Sequence, residues 1–149
     1  MKHGLYKNTA NKSDIEVYFN SLSEEFIEQL KQSVIITDYI EKFIRNAVLY
    51  EFWKDNILIG LAVVYENRGI DNPAYLTNLS VSKGQTGKGV GSKLVQFMIS
   101  KLKQKGFSEL ILEVIKDNNI ALNLYAKFGF FIDSEKNSNS WLMKLYLKN

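Results

Sequence analysis

Hydrophobic and polar residues recur with different periods along the chain, and each period predicts a different kind of element. Between residues 15 and 20 apolar and polar side chains alternate, which favours a short strand. Ser23 and the acidic residues after it favour the start of a helix, and Thr37 favours the cap of a second helix with apolar residues at helical spacing. The first third of the chain is therefore predicted to be a strand followed by two helices.

The remainder of the chain alternates between strand and helix patterns. Residues 48–53 and 57–65 are β-rich runs on either side of a Lys-Asp-Asn turn, which predicts a hairpin. Apolar residues that follow Val90 at helical spacing predict a helix that ends at Gly106. Shorter patterns predict a further helix at 118–128 and strands at 75–81, 109–115, 130–133 and 141–147.

The order of these elements predicts the architecture. The series β-α-α-β-β-β-α-β-α-β-β favours one domain over residues 1–149 of the α+β class, with mixed α/β layers rather than repeated βαβ units. Residues 109–115 are nearly continuous in apolar character, so we expect this strand at the centre of the sheet with both faces covered.

Composition excludes several kinds of chemistry. The 149 residues include no cysteine and one histidine, His3. A disulfide framework and a cysteine nucleophile are excluded, and we expect no metal site, because structural zinc needs about four Cys or His ligands. If the protein is an enzyme, carboxylates, hydroxyls, backbone amides or a bound cofactor must carry its chemistry.

Charge is divided unevenly between the two halves of the chain. Residues 1–74 carry 8 Lys and Arg against 11 Asp and Glu, whereas residues 75–149 carry 11 against 5. The basic half suggests an anionic ligand, although an ordinary surface imbalance explains the count equally well. The acidic half could attract a cationic amine or a basic peptide, and the alternative is that its acidic residues lie on solvated helix faces.

Other partners are not expected. The basic residues are 17 Lys and only 2 Arg, and several of them lie at a helix C-terminus, so we expect no nucleic-acid binding. No apolar run reaches the roughly 20 residues of a membrane span, and the polar N-terminus lacks a signal-peptide core. These observations predict a cytoplasmic protein that does not bind membranes.

Four glycines between residues 84 and 91 follow strand 75–81 and lead into the helix at Val90. A strand, a Gly-rich turn and a helix N-terminus together offer free backbone N–H groups to an anion such as a phosphate. The spacing fits neither the P-loop, G-x-x-x-x-G-K-S/T, nor the dinucleotide loop, G-x-G-x-x-G. A tight turn without a ligand is the simpler alternative.

Two motifs make the sequence resemble the GNAT superfamily of acyl-CoA N-acyltransferases. The first, Gln/Arg-x-x-Gly-x-Gly/Ala after a strand, matches Gly89 and Gly91, whereas Thr86 stands where the family has Gln or Arg. The second motif, N-x-x-A-x-x-L-Y-x-x-x-G-F, is matched at every fixed position by Asn118, Ala121, Leu124, Tyr125, Gly129 and Phe130. The resemblance covers residues 48–149 well, and the earlier part matches only in the order of its elements.

The resemblance implies a mostly antiparallel sheet of six to seven strands, with a splayed parallel strand pair and helices on both faces. It also implies acetyl-CoA as cosubstrate, with the pantetheine arm along strand 75–81 and the pyrophosphate at amides 87–92. Lys83 and Lys88 could add positive charge there, or be solvated surface residues. The residues implied to bind the cofactor are Leu79, Ser80, Val81, Thr86, Gly87, Lys88, Gly89, Val90, Gly91, Ser92, Asn118 and Tyr125.

The implied reaction is direct attack of a primary amine on the acetyl thioester within a ternary complex. The resemblance implies Tyr125 as the acid beside the CoA sulfur, and the alternative for this residue is a core aromatic. Glu113 is the candidate base, because a carboxylate within an apolar strand is costly unless it is paired, solvated or functional. A Glu113 that merely faces solvent or forms a salt bridge, with a water chain as the base, is the alternative. An amide near Leu79 could stabilise the oxyanion.

The acceptor is expected to be a small-molecule amine, with the N-terminus of a protein or peptide as the alternative. A noncatalytic acyl-CoA-binding module with the same fold is the rival interpretation from a different functional class. A homodimer through the C-terminal strands is a further expectation.

Overall fold

A computed structural model describes residues 1–148 as one seven-stranded sheet with helices packed against it. Along the chain the elements are β1 (Gly4–Lys7), α1 (Lys12–Phe19), α2 (Glu24–Lys31), α3 (Ile36–Asn46), β2 (Ala47–Lys54), β3 (Ile57–Tyr65), β4 (Ala74–Val81), a short 3₁₀ turn (Lys83–Gln85), α4 (Val90–Lys105), β5 (Glu109–Ile115), α5 (Asn119–Lys127), β6 (Phe131–Asn137) and β7 (Ser140–Tyr146). Across the sheet the strands lie in the order β1-β2-β3-β4-β5-β7-β6. The predicted fold class and mixed sheet are confirmed.

Neighbouring strands are antiparallel except for β4 and β5, which are parallel. The pairing of β4 with β5 extends only from Ala74 opposite Leu110 to Leu76 opposite Leu112. Both strands then continue, to Val81 in β4 and to the end of β5, without pairing to each other. The predicted splayed parallel pair is confirmed, and the split opens toward the carboxyl ends of the two strands.

A β-bulge in β4 lies where the two strands separate. Leu76 and Asn78 oppose consecutive residues of β3, so that Thr77 is the extra residue in β4. Leu76 belongs to the core under α4, whereas the Ser80 hydroxyl lies 2.8 Å from the hydroxyl of Tyr18, in the opposite layer. The bulge therefore turns the polar residues of β4 away from the α4 layer.

Helices cover both faces of the sheet, as the sequence predicts. On one face α4 contributes Leu94 and Met98 to the core, and on the other face Ile15 of α1 packs with Phe43 of α3. A Cβ atom at Gly60 in β3 would lie 2.8 Å from two side chains of α4, so this glycine lets the helix approach the sheet closely. Within residues 1–148, no helix has the length and apolar character needed to cross a membrane.

The strand predicted at residues 15–20 is wrong, because most of these residues belong to α1. Val17 is 67% exposed, whereas the buried residues recur at helical spacing: Ile15, Tyr18 and Phe19. Asn11 caps the helix by accepting a hydrogen bond from the N–H of Asp14, and the Asp14 carboxylate bonds back to the N–H of Asn11. This capping box was the sequence signal for a helix that the alternating pattern hid. The first strand is instead β1, which pairs antiparallel with β2.

Two smaller predictions are also wrong. Thr37 does not cap α3, because Ile35 occupies that position without a side-chain hydrogen bond. The strand β5 is not covered on both faces: burial alternates along it, and Glu113 is exposed. Ser23 is confirmed as the cap of α2, and the other predicted helices and strands are confirmed with end points that differ by a few residues.

Candidate active site

The separation of β4 and β5 opens a cavity of about 610 Å³ between the two strands, here called the smaller cavity. Its walls include residues 77–79 of β4 and residues 112–115 of β5. Residues of α2, α3, α5 and the β6–β7 hairpin also contribute to the lining. Because β4 and β5 do not pair with each other here, their facing edges can pair with a ligand.

A cavity of about 800 Å³, here called the larger cavity, lies between α3 and the sheet. Its lining includes Ile111 of β5, Leu142 of β7 and Arg68 in the loop after β3. The residues that line both cavities are Val34, Tyr39, Tyr75, Thr77 and Glu113. The cavities therefore meet at the splayed strands, where two reactants that enter from different sides can come together.

Glu113 lies where the two cavities meet. Its carboxylate accepts a hydrogen bond from Ser140 Oγ of β7, 2.6 Å away, and it takes part in none of the ion pairs within residues 1–148. The side chain is exposed, so the desolvation cost expected of a carboxylate inside an apolar strand does not arise. Glu113 is a solvated carboxylate with one protein donor, which leaves acceptor capacity for a proton.

Tyr125 lines the smaller cavity from α5 and does not line the larger one. It is 8% exposed and packs edge-on against Phe130, with ring centroids 5.4 Å apart. Burial raises the pKa of Tyr125, so its hydroxyl is protonated at neutral pH and can act as a donor. Tyr125 is thus a core aromatic that also borders the smaller cavity, and its role as the acid stays a prediction.

Tyrosines of the N-terminal helices hold the polar residues of β4. The Tyr18 hydroxyl lies 2.8 Å from Ser80 Oγ, which in turn donates to Asn78 Oδ1 at 2.9 Å. The Tyr39 hydroxyl donates to the backbone C=O of Thr77 at 2.8 Å, and burial raises the pKa of Tyr39 to about 12. These bonds fix the part of β4 that borders the smaller cavity. Because the Ser80 hydroxyl is bound in this network, it is not available for the predicted cofactor contact.

The glycine loop leaves amides unpaired at the start of α4. Gly87 and Gly89 have φ angles of 76° and 79°, in the left-handed region that favours glycine. Gly89 is the N-cap without a side-chain hydrogen bond, and the N–H of Lys93 donates back to its C=O at 3.1 Å. The amides of residues 90–92 come before that first intrahelical bond and are available to an anion.

The other two glycines of the loop are not explained by backbone strain or packing. A Cβ atom at Gly84 would meet nothing within 4 Å. A Cβ atom at Gly91 would lie 3.8 Å from Leu124 and 3.9 Å from Val81, which are ordinary contacts. Turn geometry therefore accounts for two of the four glycines, and Gly91 lies beside both the end of β4 and α5.

Lys127, which the sequence analysis does not assign, brings a positive charge to this loop. Its Nζ lies 3.3 Å from Ser92 Oγ, so the last turn of α5 contacts the first turn of α4. Lys83 and Lys88 are exposed around the same loop. Only the packing of α5 beside α4 brings Lys127 to Ser92, so no local sequence signal marks this residue.

The predicted site residues divide into two groups. The smaller cavity brings together Leu79, Glu113, Asn118 and Tyr125. Asn118 also caps α5, because its Oδ1 accepts a hydrogen bond from the N–H of Ala121 at 3.1 Å. Ser80, Val81 and residues 86–92 lie outside the lining of this cavity, at and beyond the end of β4. Among residues 1–148, no three or more His, Cys, Asp and Glu side chains are grouped to hold a metal ion, and the expectation that none is needed stays a prediction.

Comparisons of the sequence with known proteins point to acyl transfer. The sequence model described as "Acetyltransferase (GNAT) family" matches residues 15–130. N-alpha-acetyltransferase 30 of Schizosaccharomyces pombe is 33% identical over 64 residues, which cover 43% of this chain and 43% of that protein. The match thus spans less than half the length of this relative. The probable spermine N(1)-acetyltransferase of Bacillus subtilis subsp. natto is 29% identical over 136 residues, which cover 89% of this chain and 87% of that protein.

Comparison of the fold with solved structures agrees with the sequence comparison. The PaiA N-acetyltransferase of Thermoplasma acidophilum, solved in complex with coenzyme A, superposes with a TM-score of 0.72. The superposition covers 96% of this chain and 99% of that chain at 20% sequence identity. At this identity the likeness concerns the fold alone.

Proposed function

Because the chain belongs to the acetyltransferase (GNAT) family, we propose that it transfers an acetyl group from acetyl-CoA to a primary amine by direct attack within a ternary complex. The observation that carries the proposal is the junction of two cavities at Glu113, where β4 and β5 separate. In this proposal the thioester occupies the smaller cavity, and the amine arrives from the larger one.

Acetyl-CoA binding would use the backbone more than side chains. The pantetheine arm lies along residues 79–81 of β4 as an added strand and bonds to backbone groups that β5 leaves unpaired. The pyrophosphate lies at amides 87–92, where the dipole of α4 favours an anion. Thr86, Lys88, Asn118 and Tyr125 complete the proposed contacts, and Lys127 adds charge beside Ser92. This arrangement agrees with the positive balance of the C-terminal half of the chain.

In the proposed reaction the amine nitrogen bonds to the acetyl carbon, and the carbon–sulfur bond then breaks. A backbone N–H of β4 near Leu79 donates to the oxyanion of the tetrahedral intermediate. The departing CoA thiolate takes the proton of the Tyr125 hydroxyl. Because burial disfavours a tyrosinate, Tyr125 must regain a proton as it gives one, and the attacking nitrogen is the source.

Glu113 is the proposed base. A primary amine is mostly protonated at neutral pH, so it must lose a proton before it can attack. Glu113 borders both cavities and reaches solvent, and its hydrogen bond with Ser140 orients the carboxylate. A water chain from the amine to bulk solvent is the alternative route for this proton.

The proposed acceptor is a small-molecule amine. The larger cavity, at about 800 Å³, lies within the usual range of small-molecule sites. The Bacillus relative, named for spermine, matches 89% of this chain, whereas the fission-yeast relative, named for N-alpha acetylation, matches 43%. The N-terminus of a protein or peptide is the alternative acceptor.

An acceptor screen tests the proposed function. Acetyl-CoA and the protein are mixed with polyamines, amino sugars and peptides with free N-termini, and the released CoA thiol is detected. Turnover with at least one amine supports an N-acetyltransferase. Tight acetyl-CoA binding without turnover of any amine would instead favour the noncatalytic acyl-CoA-binding module.

The cytoplasmic location and the homodimer stay predictions. All seven residues of the edge strand β6 are exposed, and its neighbourhood presents Phe131, Ile132 and Tyr146 to solvent. These C-terminal strands are where we place a dimer contact, since an unpaired edge can pair with a second copy. Sedimentation at several protein concentrations would test this assembly.

A further inference from the structure

The larger cavity carries more positive than negative side chains, and we infer that its acceptor amine bears an anionic group on the same molecule. The inference rests on the proposed function and names the class of acceptor: a small primary amine with a carboxylate or a phosphate. Lys42 and Arg68, which line this cavity, are the residues that bind the anionic group.

The acidic N-terminal half does not make this cavity acidic. Four of its carboxylates lie outside the lining of both cavities: Glu24, Glu25, Glu28 and Glu41. Glu41 is already paired with Lys12, at 2.9 Å. Asp38 is the only acidic residue of residues 1–74 that lines the larger cavity, so the attraction of a cationic amine by this half has little structural basis.

The charged residues of the lining are mostly cations. Lys42 comes from α3, Arg68 from the loop after β3 and Lys136 from β6. None of the three takes part in an ion pair within residues 1–148. The anions are Asp38 and Glu113, and the proposed function assigns Glu113 to the reacting nitrogen. The remaining lining therefore favours a negative charge on the rest of the acceptor.

The walls of the larger cavity also suit a short carbon chain. Apolar and aromatic side chains form much of the lining, among them Tyr65, Tyr75, Ile111 and Leu142. Lys42 Nζ lies 5.6 Å from the centroid of the Tyr65 ring, and this cation–π contact holds the ammonium of Lys42 against the wall. The Tyr65 hydroxyl is buried without a hydrogen-bond partner among residues 1–148, and such an unmet bond costs free energy. An acceptor with an aliphatic chain and an oxyanion near Lys42 complements these surfaces.

Three amines with the same carbon chain test the inference: 5-aminopentanoate, pentylamine and cadaverine. We expect 5-aminopentanoate to have a kcat/KM at least about tenfold above that of pentylamine, and cadaverine to be the poorest of the three. Aminopentyl phosphate, used in parallel, shows whether a carboxylate or a phosphate is preferred. The double variant Lys42→Gln/Arg68→Gln should raise KM for 5-aminopentanoate about tenfold with little change in kcat, and leave pentylamine within about twofold.

The matched control is Lys54→Gln, which changes an exposed lysine outside both cavities and should leave all constants unchanged. Cadaverine as the best substrate, or an anion preference that survives in the double variant, would overturn the inference. So would faster acetylation of peptide N-termini than of all three small amines.

Direct binding separates this inference from the proposed function. Calorimetric titration of 5-aminopentanoate into the protein saturated with CoA should give a Kd that rises about tenfold in the double variant. Turnover of pentylamine without any preference for an anionic amine contradicts the inference alone. No turnover with any amine contradicts the proposed function, and in that case the calorimetric comparison still decides whether the anion site exists.

Discussion

Two carboxylates on separate strands of one sheet have opposite surroundings. Glu51 in β2 is fully buried and accepts hydrogen bonds from the N–H groups of Thr9 and Ala10, at 2.8 and 3.0 Å, and from Trp53 Nε1 at 2.8 Å. Glu113 in β5 is exposed and accepts one hydrogen bond, from Ser140. Protein donors thus surround the first carboxylate, whereas the second faces two cavities.

Two buried tyrosines show the same contrast. The Tyr50 hydroxyl of β2 donates to Glu66 at 2.7 Å, and burial together with this carboxylate raises the pKa of Tyr50. For Tyr125 burial is the only cause of the raised pKa, and the side chain borders the smaller cavity. A polar group whose hydrogen-bonding capacity is filled by the protein stabilises the fold, whereas one left unfilled beside a cavity is available for a reaction.

The largest expected effect is the difference in kcat between variants of the two carboxylates. Glu113→Gln should lower kcat about 10²- to 10⁴-fold at neutral pH, because the amine then lacks its base. Steady-state release of CoA measures this, with Glu51→Gln as the matched control, corrected for its folded fraction. The loss of kcat relative to the wild type should become smaller as the pH approaches the pKa of the amine, about 10, where free amine is abundant. A Glu113→Gln enzyme with full kcat would assign the base to a water chain.

The reverse difference is expected in stability. Glu51→Gln should lower the free energy of unfolding by about 2–4 kcal/mol, because an amide NH₂ then faces buried N–H donors that lose their acceptor. Glu113→Gln should change it by less than about 0.5 kcal/mol, since this side chain is exposed. Urea unfolding followed by circular dichroism measures both values. Equal stabilities of the two variants would remove the distinction between the two regions.

Variants of the two tyrosines should also differ in kcat. Tyr125→Phe should lower kcat about 10²-fold with little change in the KM for acetyl-CoA, because only the proton donor is removed. Tyr50→Phe, the control, should keep the wild-type kcat, since its hydroxyl bonds to Glu66 away from both cavities. If both variants kept full activity, Tyr125 would be a core aromatic alone.

In alkaline stability the two tyrosines should behave alike. Each has a raised pKa in the folded state, so above pH of about 10 the unfolded tyrosine loses its proton while the folded one keeps it. Each then lowers the free energy of unfolding by about 1.4 kcal/mol per pH unit as the pH rises above that value. Urea unfolding at several pH values between about 9 and 11 should show a shallower decline for Tyr50→Phe and for Tyr125→Phe than for the wild type. A decline as steep as that of the wild type in either variant would contradict burial as the cause.

The smallest effect is expected at Ser140, the protein donor to Glu113. Ser140→Ala should lower kcat about threefold, because the solvated carboxylate keeps its charge and loses only one orienting bond. The change in kcat caused by Ser140→Ala is measured in the wild type and in the Glu113→Gln background. The difference between the two changes gives the contribution of this hydrogen bond. An equal loss in both backgrounds would mean that Ser140 acts independently of Glu113.

Sequence patterns predicted the sheet well where local signals are strong. The turn at Asp55, the glycine at the end of α4 and the motif around Tyr125 each place an element through nearby residues. The alternating pattern fails at α1, because it requires Tyr18 to be a polar position whereas its ring is buried. The sequence does not reveal the bulge at Thr77 either. Burial alternates regularly along β4, although the buried residues before and after the bulge face opposite layers.

The candidate site was predictable only as far as its residues belong to motifs. Asn118, the N-cap of α5, and Tyr125 within that short helix are seven residues apart, so the motif alone brings them together. The surroundings of Glu113 depend on where β4 and β5 stop pairing, and the contact of Lys127 with Ser92 depends on how two helices pack. The charges of the larger cavity were not predictable from the count over half the chain, because such a count does not distinguish lining residues from paired surface residues.

The extra residue in β4 makes this strand depend on its length as well as on its composition. Deleting one residue at position 77 would move Asn78 and Ser80 into the apolar layer under α4 and turn Leu79 toward Tyr18. A substitution at Thr77 keeps the count, so every later residue stays on its own side. Natural variation at position 77 should therefore exchange residues freely while insertions and deletions in this segment are eliminated. Among relatives the constant feature there would be the number of residues before the loop rather than the identity of residue 77.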